Sequence, residues 1–107
     1  MDVADRIKAL VADHPAVLFM KGTPEFPMCG FSWRAVRALE TAGVPFQAVN
    51  VLEDPEIRAG LPAYANWPTF PQLFIQGELI GGCDIIEELQ ASGELARLLS
   101  DTSEDPS

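Results

Sequence analysis

Apolar positions along the chain fall into two spacings. Val3, Ile7, Leu10 and Val11 recur at helical intervals, so residues 2–13 are predicted as an amphipathic helix that ends at His14-Pro15. Val17–Met20 is apolar without interruption and predicts a strand buried on both faces. A loop over residues 21–28, restrained by Pro24 and Pro27, leads to Cys29 and a second helix. Phe31, Ala35, Leu39 and Ala42 share one side of that helix, and Gly43 suits its C-terminal cap. Residues 46–51 predict a second strand.

Asp54-Pro55-Glu56 opens a third helix well, with an Asp cap, a proline in the first turn and an acid near the positive end. Pro62 predicts that this helix splits into two short pieces spanning 55–65. Trp67-Pro68-Thr69-Phe70-Pro71 is a stiff loop. Strands over 72–75 and 78–80 flank a hairpin turn at Gln76-Gly77. Gly81-Gly82-Cys83 leads into a helix in which Asp84 and Glu87 have capping-box spacing. Gly93 separates it from a last short helix around Leu95, Leu98 and Leu99. Residues 1–100 form the domain, and 101–107 are expected to be a frayed, flexible acidic tail.

The resulting order is α-β-α-β-α-β-β-α-α. Strands one and two form a right-handed βαβ unit and are parallel, whereas the closing hairpin is antiparallel. The fold class is therefore α/β, a four-stranded mixed sheet flanked by helices on both faces. Cys29 then follows the carboxyl end of strand one, where open α/β sheets bind ligands.

Composition narrows the partners. A chain of 107 residues suits one domain. A net charge of −9 argues against nucleic acid and anionic membranes and leaves room for a basic protein partner. No apolar run approaches the ~20 residues of a membrane span. The acidic start, Met1–Asp5, resembles neither a signal nor a transit peptide. Two cysteines in different contexts make no disulfide framework, and the expected setting is the reducing cytoplasm.

Cys29 carries the chemistry. At a helix start it meets unpaired N–H groups and the positive end of the macrodipole, which favour a thiolate. Ser32 stands where a dithiol exchanger has its second cysteine, so intramolecular Cys-x-x-Cys chemistry is excluded. The single histidine, His14, sits at the end of helix one, which argues against a Cys–His hydrolase. Exchange with an external thiol and metal binding both stay open. On the residues alone Lys21 reads as a solvated cation at a strand end, Arg58 as either a surface helix residue or an anion ligand, and Phe31 as core or as a lid.

Four segments in order narrow this choice: Lys21-Gly22-Thr23-Pro24, Cys29-Gly30-Phe31-Ser32, Trp67-Pro68-Thr69-Phe70-Pro71-Gln72 and Gly81-Gly82-Cys83-Asp84. Together they resemble a CGFS-type monothiol glutaredoxin of the short single-domain bacterial form, over about residues 3–99. The resemblance implies a thioredoxin-like fold and bound glutathione. It also implies a [2Fe-2S] cluster shared between two subunits, and cluster delivery to apo iron–sulfur recipients or iron regulation with a BolA-like protein.

Residue by residue, the resemblance places Lys21 and Arg58 on the glycyl carboxylate of glutathione. A cis Phe70–Pro71 bond frees the Phe70 main chain for the cysteinyl part. The N–H of Cys83 takes the γ-glutamyl carboxylate and Asp84 its ammonium, while the Cys83 thiol is no ligand. A [2Fe-2S] cluster takes four thiolates. One Cys29 from each of two chains plus two glutathiones reach that number, which implies a homodimer formed with the cluster. The alternative is a glutathione-dependent oxidoreductase with Cys29 as its catalytic thiol on mixed disulfides. A plain interaction module, indifferent to Cys29, is a third.

Overall fold

The computed structural model describes residues 2–103. Helix α1 is Val3–Asp13, with Asp2 as its cap. Strand β1 is Ala16–Met20, helix α2 Gly30–Thr41 and strand β2 Gln47–Asn50. A 3₁₀ turn, Val51–Glu53, precedes helix α3, Pro55–Ala65. Strands β3 and β4 are Gln72–Ile75 and Glu78–Gly81, followed by helices α4, Cys83–Ser92, and α5, Glu94–Ser103. Among the described residues no helix is long and apolar enough to cross a membrane.

The sheet order is β2-β1-β3-β4. Strand β1 pairs parallel to β2, with Met20 opposite Asn50, and antiparallel to β3, with Phe19 opposite Gln72. This is the mixed sheet read from the sequence. Gln76 and Gly77 both take positive φ, 51° and 78°, as a two-residue hairpin turn between right-twisted strands requires.

Strand β1 is buried along its whole length because the layers on either side each take alternate residues. Ala16, Leu18 and Met20 pack with Ala35, Val36 and Leu39 of α2, Ile86 of α4 and Leu95 of α5. Val17 and Phe19 pack with Ile7 and Val11 of α1 and with Ile57 and Leu61 of α3. Phe19 meets Phe74 edge to face, ring centroids 5.6 Å apart. Helices therefore cover both faces, and the ends of β1 and α2 that bear the thiol stand on a close-packed base.

Two expectations are corrected, and one alternative left open is decided. First, Pro62 does not divide α3, which runs unbroken from Pro55 to Ala65. The proline removes one intrahelical bond, but Asp54 caps the N-terminus, Asn66 takes the left-handed position at the C-cap, and Ile57 and Leu61 are anchored in the core. Second, Asp84 and Glu87 form no capping box. Helix α4 starts at Cys83 with Gly82 as its N-cap and no side-chain cap, and Glu87 instead pairs with Arg34. Phe31, open between core and lid, is 56% exposed and lies outside the core, on the flank of the buried stripe Ser32, Ala35, Val36 and Leu39. Helix α5 extends to Ser103, and the rest of the expected tail, 104–107, lies outside the described residues.

Candidate functional site

The loop from Lys21 to Met28 folds back on itself. The N–H of Met28 donates to the Lys21 carbonyl at 2.9 Å, and Gly22 and Pro27 form a β-bridge. Gly22 has φ +98°, and a Cβ there would lie 2.5 Å from the Phe26 carbonyl oxygen, so only glycine fits. Its N–H donates to Asn50 Oδ1 at 2.9 Å, and the same oxygen accepts the N–H of Leu52 at 3.0 Å. Asn50 thereby ties the loop to the end of β2.

This loop delivers Cys29 as the N-cap of α2, in extended conformation, with its side chain left out of the capping. The thiol is held below the ordinary thiol range. The main-chain N–H of Ser32 is the largest cause, burial opposes it, and the N–H of Phe31, the Lys21 charge and the Ser32 hydroxyl add to the lowering. Ser32 is fully buried, and its Oγ accepts the Lys21 N–H at 3.1 Å. Since that N–H already uses an oxygen lone pair, the hydroxyl proton is available to the sulfur.

A cavity of about 870 Å³ opens beside the sulfur. Lys21, Cys29, Arg58, Phe70, Cys83 and Asp84, all six residues singled out in the sequence, line it. Lys21 and Arg58 have no carboxylate partner among the described residues. The Phe70–Pro71 bond is cis. Neither the N–H nor the carbonyl of Phe70 takes part in a hydrogen bond among the described residues. The N-terminus of α4, which has no side-chain cap, adds free N–H groups to the lining. The lining thus combines two cations, an open main-chain edge, and helix N–H groups beside a carboxylate.

The second cysteine is different. Cys83 is buried, and that burial pushes its thiol up; the Glu87 charge adds to this, while Arg34 opposes it. No disulfide joins it to Cys29.

Three supporting residues were not anticipated: Asn50, Ser32 in its hydrogen-bonding role, and Gln72. Gln72 is fully buried, and its Nε2 donates to the carbonyls of Trp67 at 2.9 Å and Thr69 at 3.2 Å, fixing the loop that carries Phe70. A polar residue heading the otherwise apolar strand Gln72–Ile75 was the available signal. Ser32 gave none, because its partner, the Lys21 N–H, is a main-chain group distant in sequence, and the same holds for the contact of Asn50 with Gly22.

Comparison with known proteins agrees with this geometry. Residues 16–80 match the Glutaredoxin family. The chain is 56% identical to "Glutaredoxin 4" of Pasteurella multocida over 103 residues, covering 96% of this chain and 94% of that one. Reduced apo GrxS14 of poplar superimposes with a TM-score of 0.77 at 48% identity, over 92% of this chain and 90% of that one. A buckwheat glutaredoxin solved as its glutathione complex superimposes with a TM-score of 0.82 at 27% identity, over 94% and 89%. With a thioredoxin-like sheet, a thiol at the mouth of α2 and a serine in place of the second cysteine, the chain belongs to the glutaredoxin family, as a monothiol member of the CGFS type.

Proposed function

We propose that the protein binds glutathione in the Cys29 cavity and, as a cluster-bridged homodimer, carries a [2Fe-2S] cluster to apo iron–sulfur proteins in the cytoplasm. A BolA-like protein is a second partner, replacing one copy. The observation that carries this reading is the donor count. Each chain presents one accessible thiol held below its ordinary range, Cys29, while the Cys83 thiol is buried and raised. One thiolate cannot satisfy a cluster that takes four. The donor set fits if two copies and two external thiols combine.

The cavity suits glutathione as the source of those thiols. Lys21 and Arg58 bind its glycyl carboxylate, with Arg58 offering the planar fork that matches two oxygens. The main chain of Phe70 pairs with the cysteinyl residue and sets its sulfur toward Cys29. The N-terminus of α4 receives the γ-glutamyl carboxylate, and Asp84 the ammonium. The buckwheat complex supports the same ligand class for this site. When bound, the cluster is cargo; the chain's own work is to favour the thiolate of Cys29 and to hold the tripeptide.

A second reading draws on the same lowered thiol. Cys29 as a nucleophile would attack the glutathionyl sulfur of a mixed disulfide, release the protein thiol and be freed by a second glutathione. Anaerobic reconstitution with iron and sulfide, with and without glutathione, separates the two. The carrier reading predicts visible cluster absorbance that requires glutathione and Cys29 and survives Cys83→Ser. Rapid deglutathionylation with no such absorbance would establish the oxidoreductase instead.

A further inference from the structure

Arg34, one turn into α2, reaches across to α4. Its Nε–H donates to Glu87 Oε2 at 3.0 Å and its Nη2 closes on Glu87 Oε1, so the two side chains meet fork to fork. The same Nη2 stands 3.7 Å from Asp84 Oδ1, and the guanidinium lies 5.9 Å from the centre of the Phe31 ring. Phe31 and Asp84 both line the Cys29 cavity, while Arg34 and Glu87 are not among its walls. Possible ligand atoms of Cys83, Asp84 and Glu87 fall within 4.8 Å of one another, but Arg34 already supplies the positive charge there. The cluster is an ion-pair network, not a cation site.

Within it the two carboxylates are held unequally. Glu87 grips the guanidinium with both oxygens. Asp84, its side chain 88% exposed, has only the 3.7 Å contact among the described residues. Asp84 is therefore free to take a second cation, and the cavity opens beside it.

We infer that Arg34 and Glu87 together set how strongly the protein selects a ligand bearing an α-ammonium group at the α4 end of the cavity. Arg34 competes with the ligand ammonium for Asp84, and Glu87 holds it back. The inference rests on the glutathione reading above and adds two residues outside the cavity as determinants of its selectivity.

The test compares glutathione with its des-amino analogue, glutaryl-cysteinyl-glycine, which lacks only the ammonium. Dissociation constants are measured by anaerobic calorimetry on the full chain, and the ratio of analogue to glutathione is the readout. Arg34→Gln removes the competitor, and the ratio rises by about two- to fivefold, the size of one exposed charge contact. Glu87→Gln releases Arg34 onto Asp84, and the ratio falls by a similar factor. Asp84→Asn brings it close to one. In the Arg34→Gln background the freed Glu87 carboxylate, within 4.8 Å of Asp84, also draws the ammonium, so Arg34→Gln/Glu87→Gln falls between Arg34→Gln and the wild type.

A merely structural role would shift both ligands in parallel and leave the ratio unchanged. That result, or equal displacement of the ratio in the same direction by both single variants, overturns the inference. Should Arg34→Gln fail to fold, the opposite sign in Glu87→Gln still decides it. Absence of any glutathione binding to the wild-type chain overturns the glutathione reading and the inference together; glutathione binding with an unresponsive ratio overturns the inference alone.

Discussion

The Oγ of Ser32 accepts the main-chain N–H of Lys21 at 3.1 Å, joining the end of β1 to the first turn of the thiol's helix. The serine that occupies the place of a second cysteine is thus not a neutral filler. It is buried, it satisfies a main-chain donor, and its proton faces the sulfur's needs.

Ser32→Ala should therefore raise the Cys29 pKa and destabilise the fold. The rise stays partial, because the Ser32 main-chain N–H, the larger cause, is untouched. Leaving the Lys21 N–H unpaired costs about 1–3 kcal/mol. The pH dependence of iodoacetamide alkylation checks the first effect and urea unfolding the second.

Selective alkylation separates the two thiols in the wild-type chain. Cys29 reacts as pH rises through a value below the ordinary thiol range, and Cys83 only above it, since burial raises its thiol. Mass spectrometry of peptides labelled near neutral pH should find Cys29 modified and Cys83 intact. Lys21→Ala moves the Cys29 titration upward by removing a favourable charge.

Gly22→Ala places a methyl group against the Phe26 carbonyl in a backbone conformation with φ +98°. Strain of roughly 1–3 kcal/mol follows, and the loop must shift to relieve it. Thermal melting and glutathione affinity should both decline, the latter more than at the exposed turn glycine, Gly77→Ala.

Asp54 links the packing of α1 to the position of Arg58. It caps α3 through the Ile57 N–H at 3.2 Å and pairs with Arg6, which also binds Glu56 at 2.8 Å. Burial raises its carboxyl, but the hydrogen bonds from Arg6 and Ile57 outweigh it, and the net shift is downward. A lowered carboxyl stabilises the fold fully above its unfolded pKa of about 3.9. That contribution is lost as pH falls through the lower folded value. Asp54→Asn keeps a capping side chain and loses the charge, so its deficit at neutral pH should vanish in acid. Asp54→Ala also loses the cap, about 1 kcal/mol, and its deficit persists.

Much of this was legible in the sequence because the signals were local. The uninterrupted apolar run Val17–Met20 specified a central strand, and Gln76-Gly77 specified the hairpin. Lys21, Cys29, Phe70, Cys83 and Asp84 were named from motifs and Arg58 from the family resemblance, and the fold brings all six to one cavity. The misreadings came where tertiary packing overrode local preference. Pro62 stayed inside a helix because Ile57 and Leu61 anchor it, and Glu87 left its expected capping role for Arg34, 53 residues away in the chain. Phe31, which its register with Ala35 and Leu39 left open between core and lid, stands on the flank of the buried stripe Ser32, Ala35, Val36 and Leu39 and is exposed.

The most direct test is sedimentation of the reconstituted protein, followed at the visible absorbance of the cluster. Two copies, two Cys29 sulfurs and two glutathiones predict a coloured dimer that becomes a colourless monomer when the iron is chelated, and that never forms from Cys29→Ser. Colour that sediments as a monomer, or a coloured dimer assembled without glutathione, would contradict the account.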